Sequence, residues 1–403
     1  MMSKFSFALL FYSLSTLGLP AQFRDAFEGN FLNIDQTAHN GWAFFSGDGV
    51  VEMTFTPNQS VARVSVDARN DNSGVWWALI KRAVSDHLDL NKLAAPEYEL
   101  RIETRVRTNT APRRINLHAN TNRTTDFHSN LMEYDLPDTN WHRISMTTRG
   151  FDAQPSDTVY TQLALMDWGL SQYQLDIDYF KVDVVNLANA KADFGNPIPY
   201  HPPIPKTADF QFHFPPDFDA SVNVDKPEEP VHLFTNSLSA GLLPLLTVDS
   251  SRSTILRWDA TRFKGHSPVG SGLLEIKTNT FHTPRQELDE PGQLRVVEIL
   301  DGNFETDESE FTYANFLGDL SPVEAINGQM IIDYPVNPDF RAPSYFVINE
   351  AVMNRLLSGT SKGILLKPLG WMEATFFDRK AGNEFSAVLH FNLKKDATHA
   401  EME

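Results

Sequence analysis

The sequence predicts an all-β protein made of two β-sandwich (jelly-roll) domains joined by a Pro-rich linker, on three observations. Short alternating apolar and polar runs, separated by Asn, Asp, Gly and Pro clusters, recur from about residue 22 to 187 and again from 231 to 393. Residues 188–230 between them hold nine of the 24 prolines, a density that resists both helix and central strand. At 403 residues with 41% apolar side chains, the chain exceeds one comfortable core and can fill two.

The elements follow in order. Residues 1–21 open with Met-Met-Ser-Lys, run uncharged from Phe5 to Leu19 and end near Ala21, the pattern of a signal peptide. The mature protein is therefore expected to be secreted or periplasmic, and no later stretch has the length and apolarity of a membrane span. Residues 22–187 form the first sandwich, with strands at Val61–Ala68, Val75–Lys81, Tyr98–Arg107, Arg113–Asn120, Trp141–Thr148, Val159–Trp168 and Leu175–Val185. Residues 188–230 read as a semi-rigid linker or a strap laid over a domain surface. Residues 231–395 form the second sandwich, with strands at Thr254–Trp258, Gly272–Thr278, Leu294–Leu300, Met330–Tyr334 and Phe385–Leu393. One helix is expected at Asn349–Leu357, where Asn349 can cap and apolar residues fall at helical spacing. Residues 396–403 are a tail.

The chain has no cysteine, which excludes disulfides, thiolate metal sites and cysteine nucleophiles. Its net charge of −18 argues against nucleic acid, whose phosphates require a basic field. The charge is uneven: residues 97–149 carry eight arginines against seven acids. Such a concentration is either a local anion site or a set of ion pairs on a solvated sheet face.

The first domain resembles the galactose-binding-like β-sandwiches of carbohydrate-binding modules. The resemblance rests on Phe27-Glu28-Gly29, Trp42, the glycines from Gly47 to Gly49, and the closing run Leu175-Asp176-Ile177-Asp178-Tyr179-Phe180. It implies a structural calcium at Glu28 with Asp176 or Asp178, since acids of the first and last strands often hold one in such modules. No organic cofactor is expected. The second domain resembles DNRLRE-type modules through Thr254-Ile-Leu-Arg-Trp-Asp259, Gly272-Leu-Leu-Glu-Ile276, Gly363-Ile-Leu-Leu-Lys-Pro368 and Ala374-Thr-Phe-Phe-Asp-Arg-Lys-Ala-Gly382, although the signature that names the family is absent. The block Arg113–His118 with Thr124–His128 is similar in context to secreted marine bacterial proteins grouped with ulvan lyases and oligosaccharide dehydratases.

Strand alternation turns Ile115 and Leu117 to one side of Arg113–Asn120 and Arg114, Asn116, His118 and Asn120 to the other. The next stretch, Thr121–Tyr134, reads as a polar turn carrying Arg123, His128 and Tyr134. This set suits β-elimination on a uronic acid. Arg114, Asn116 or Arg123 would neutralise the carboxylate, His118 or His128 would remove the C5 proton, and Tyr134 would protonate the departing oxygen. A departing sugar makes the enzyme a lyase, and departing water a dehydratase, in either case on ulvan- or alginate-like oligosaccharide. The alternative is a non-catalytic two-module carbohydrate-binding protein, because Arg, Asn, His and Trp also serve to bind sugars. Trp77 and Trp168 are the candidate stacking platforms. Either reading makes an acidic polysaccharide or oligosaccharide the partner.

Overall fold

A computed structural model describes residues 22–27, 41–47, 52–57, 61–71, 76–167, 172–199, 202–237, 241–283 and 293–395. The chain is all-β, with every strand pairing antiparallel. No helix among the described residues is long and apolar enough to cross a membrane.

Two six-stranded sheets make the first sandwich. One runs Glu52–Pro57, Ala62–Asp67, Gln172–Asn186, Tyr98–Thr108, His142–Thr147, and Phe23–Asp25 also pairs with Gln172–Asn186. The other runs Pro197–Ile198, Leu131–Leu136, Arg113–Thr121, Val159–Asp167, Trp76–Ala83, Trp42–Gly47. Alternate residues from both sheets, among them Val64, Ile80, Ile102, Leu117, Leu163 and Ile177, meet in one dry core. Each predicted strand of this domain is present to within about three residues of its expected ends.

The second sandwich begins earlier than residue 231. Phe212–Phe214 pairs with Val388–Phe391, and Phe218–Asn223 pairs with Arg252–Arg257, so residues from Phe212 onward belong to its two sheets. Proline density misled the boundary because Pro215 and Pro216 sit between two strands rather than inside one. What remains of the linker is a strap on the first sandwich. Pro197–Ile198 adds to the edge of Leu131–Leu136, and the Asp193 carboxylate accepts from Ser145 Oγ at 2.9 Å and pairs with Arg101 at 3.0 Å. The expected helix forms at Glu350–Ser358, with the Asn349 side chain accepting from Val352 N and Gly359 closing it in the left-handed region.

Candidate functional site

The strand Arg113–Thr121 turns its side chains as alternation requires. Ile115, Leu117 and Ala119 enter the core, while Arg114, Asn116, His118 and Asn120 share the opposite face. Register then fixes their neighbours. Gln162 lies opposite His118, Tyr160 opposite Asn120, and Glu133 opposite Asn116. One strand further out, Lys81 lies opposite Gln162 and Leu79 opposite Ala164, with Phe45 opposite Leu79. Gln162, Tyr160 and Lys81 are functional candidates that reading a single strand missed. The even-numbered positions of Val159–Asp167 were the available signal.

This face is polar and closed over much of its area. Arg114, Asn116, His118, Asn120, Glu133 and Gln162 are all buried. Seven of their atoms are screened from solvent and find no hydrogen-bond partner among the described residues: Arg114 Nε, Asn116 Oδ1, His118 Nε2, both polar atoms of Asn120, Glu133 Oε1 and Gln162 Nε2. Burial, helped by His128, pushes the His118 imidazole down to about 4, so the ring is neutral near pH 7. Burial also raises the Glu133 carboxyl, although Arg114 opposes this from 3.0 Å.

The second sandwich supplies part of the cover. Ladder pairing between Arg113–Thr121 and Val159–Asp167 stops at Asn116, while Val159–Asp167 continues against Trp76–Ala83. The Gln329 side chain fills the next ladder position. Its oxygen accepts from Arg114 N, and its Nε2 donates to Arg114 O at 3.0 Å. Arg355 ties the two sandwiches from the side. It donates to both oxygens of Asp135 (2.9 and 2.8 Å) and both of Glu298 (2.6 and 2.9 Å). The far part of the face is more open: Phe45 is 43% exposed, and Trp77, Leu79, Lys81 and Tyr160 are half-buried. The Lys81 ammonium lies 4.0 Å from the Tyr160 ring centre.

The eliminating constellation does not assemble. Tyr134 is not in a polar turn but in the strand Leu131–Leu136, opposite Ile115, so its ring enters the core. Its hydroxyl donates to Ser145 O at 2.5 Å, and burial, reinforced by Asp193, pushes its pKa far up. Arg123 points away as well, held by Asp157 (2.8 Å) and Asp152 (3.0 Å). His128 sits on an exposed turn beside Asp126, near enough to influence His118. Trp168 lies outside the described residues.

The proposed calcium ligands are likewise engaged. Asp176 accepts from Arg63 (2.7 and 3.0 Å) and Arg107 (3.0 Å), and Asp178 accepts from Arg105 at 3.0 Å. Guanidinium groups therefore occupy the lone pairs a cation would need. Glu28 lies outside the described residues, and among the described residues no group of three acids or histidines is placed to hold a metal. Most of the arginine concentration resolves the same way. Arg143 donates to Glu103 (2.7 Å), Arg101 pairs with Asp193 and Arg114 with Glu133, which is the ion-pair reading of that segment.

No family model matches the chain, and no curated protein does. Among solved structures, 53 chains match. A family 4 carbohydrate-binding module is 14% identical, with a TM-score of 0.29, over 40% of this chain and 97% of its own. The CBM22-1 xylan-binding domain of Paenibacillus barcinonensis is 12% identical, with a TM-score of 0.27, over 41% and 95%. The family 11 module of Clostridium thermocellum, in complex with a β-1,3-1,4-mixed-linked tetrasaccharide, is 13% identical, with a TM-score of 0.24, over 38% and 94%. These neighbours are β-sandwich carbohydrate-binding modules, and at such TM-scores the likeness bears on no residue of this chain.

Proposed function

We propose that the chain is an exported carbohydrate-binding protein that holds a saccharide on the outer face of the sheet containing Arg113–Thr121. The observation that carries this reading is the run of unpaired carboxamide, imidazole and carboxylate atoms on that face. Sugar hydroxyls both donate and accept, so a saccharide that displaced the screening side chains would satisfy such atoms in a way an apolar ligand could not. The half-open margin supports the same reading: Trp77, Tyr160 and Phe45 offer rings to the apolar face of a sugar. Lys81 faces that margin without a carboxylate partner among the described residues, which favours an acidic sugar such as a uronate.

Elimination is the weaker reading, because Tyr134 is spent in the core and His118 is sealed. One experiment addresses both. The protein lacking its first 21 residues is run by affinity electrophoresis against ulvan, alginate, polygalacturonate and neutral xylan, and Kd values follow from calorimetry. Trp77→Ala and Lys81→Ala are expected to weaken binding at least about tenfold, the second only for acidic glycans. Binding unchanged in both variants would refute the assignment to this face. Growth of unsaturated-uronate absorbance during incubation would restore the lyase.

A further inference from the structure

A cavity lies in the second sandwich, far in sequence from the face just discussed. It holds about 720 Å³ between the end of the helix Glu350–Ser358, the turn Ala260–Phe263 and the strand His266–Pro268. That volume suits an oligosaccharide or a ligand of similar size. Trp258 and Phe263 contribute to its apolar wall, and both are buried. Trp258 is fixed there by donating Nε1 to Phe214 O at 2.9 Å. Thr261, Ser267, Ser358 and Ser361 line the remainder, with the Ser358 and Ser361 hydroxyls donating to Arg355 O (3.1 Å) and Ile299 O (3.0 Å).

Charge distinguishes this cavity from the rest of a −18 protein. Three cations, Arg257, Lys264 and Lys362, line it against one carboxylate, Asp259. Arg257 is neutralised by Asp217 at 2.5 Å. Lys362 spends one of its three donors on Gly359 O at 2.9 Å, and the Lys264 ammonium makes no hydrogen bond or ion pair among the described residues. Both lysines are exposed. Two ammonium groups without a carboxylate partner among the described residues, in a cavity walled in part by Trp258 and Phe263, suit an oligosaccharide bearing carboxylate or sulfate groups.

We infer that this cavity is a second glycan site, selective for anionic oligosaccharides through Lys264 and Lys362. The sugar part of the assignment rests on the carbohydrate-binding reading above; the anion part rests on the cavity alone. The test uses the full chain without its first 21 residues and with Trp77→Ala and Lys81→Ala, which silence the first face, titrated calorimetrically with trigalacturonate, a sulfated trisaccharide, a neutral trisaccharide and inorganic sulfate. Lys264→Ala/Lys362→Ala, on exposed positions, is expected to fold normally and to weaken the anionic trisaccharides at least about tenfold, with the neutral one unchanged. The wild-type affinity for them is expected to fall as salt rises. Unchanged affinity of the double variant for the anionic trisaccharides, or no binding of any anionic probe, overturns the inference. Inorganic sulfate binding as tightly as the sulfated sugar also overturns it, by reducing the site to an ion site. Loss of binding on Trp77→Ala alone concerns the first sandwich, so failure of one assignment is distinguishable from failure of the other.

Discussion

Arg355 holds the two sandwiches together, and removing it tests their association. Its side chain is 10% exposed and makes four charge-assisted hydrogen bonds, two to Glu298 in its own sandwich and two to Asp135 in the other. Both carboxylates are nearly solvent-free, with side-chain exposures of 1% and 6%. Arg355→Met keeps most of the volume and leaves two buried carboxylates without their shared cation, with Asn327 the one side chain among the described residues still donating to Glu298, at 3.1 Å. Breaking a buried pair from one side typically costs about 3–5 kcal/mol. Since Asp135 belongs to the first sandwich, the loss should appear in the unfolding of both domains, not only the second. Scanning calorimetry and urea unfolding of Arg355→Met, Asp135→Asn and the double variant measure this. A coupling energy of roughly 1–3 kcal/mol between the two positions is expected. Zero coupling, or a cost below about 1 kcal/mol for Arg355→Met, would mean that the sandwiches do not meet as described.

Two further predictions concern pH. Burial would raise the Glu103 carboxyl, but hydrogen bonds from Arg143, Lys181 and Tyr179 outweigh it and hold the pKa at about 2. A carboxylate depressed on folding stabilises above its unfolded value of 4.5, and that stability is lost as pH falls toward 2. Glu103→Gln should therefore cost about 1–3 kcal/mol at pH 7 and little near pH 2, a gap read from Tm against pH. Asp219 is the opposite case. Burial, reinforced by Asp378 and Glu308 and only partly offset by Arg379, lifts its pKa from 3.8 to about 8. The folded chain then keeps a proton that the unfolded chain has released, so this contribution to stability falls as pH rises from 3.8 to 8. Asp219→Asn should gain Tm relative to wild type across that window, and a constant difference at all pH values would refute the assignment.

How much could be read from the sequence depended on the range of the interaction concerned. Strand positions were legible because alternation is local: Arg113–Thr121 and Val159–Asp167 stand within a residue of their expected ends. The capped helix was legible for the same reason, since Asn349 acts on Val352 only three residues away. The parity of Arg114, Asn116 and His118 was correct, but their cover was not foreseeable, because Gln329 reaches Arg114 from 215 residues downstream. Tyr134 was misplaced because the end of the polar turn was set too late. Once the strand starts at Leu131, its parity sends Tyr134 inward beside Leu136. Arg143 and Arg114 find Glu103 and Glu133 inside the segment, but Arg107 and Arg101 could not be assigned from it, since they find Asp176 and Asp193.

The cover over the polar face bears on why that face exists. Leaving a buried polar atom unsatisfied costs about 1–3 kcal/mol, and these seven have no partner among the described residues. Hydrophobic side chains at the same positions would close an interface with the second sandwich more cheaply, as they do on the core side of the same strand. Packing between domains therefore does not explain Asn116, His118, Asn120 and Gln162. On the proposed reading, a saccharide would take up those hydrogen bonds, and Gln329 and Arg355 make polar contacts beside the face that a competing ligand could exchange. On this argument the second sandwich bounds the site and limits access to it. Asp135→Asn, which loosens that boundary without touching the floor, should then raise glycan affinity rather than lower it.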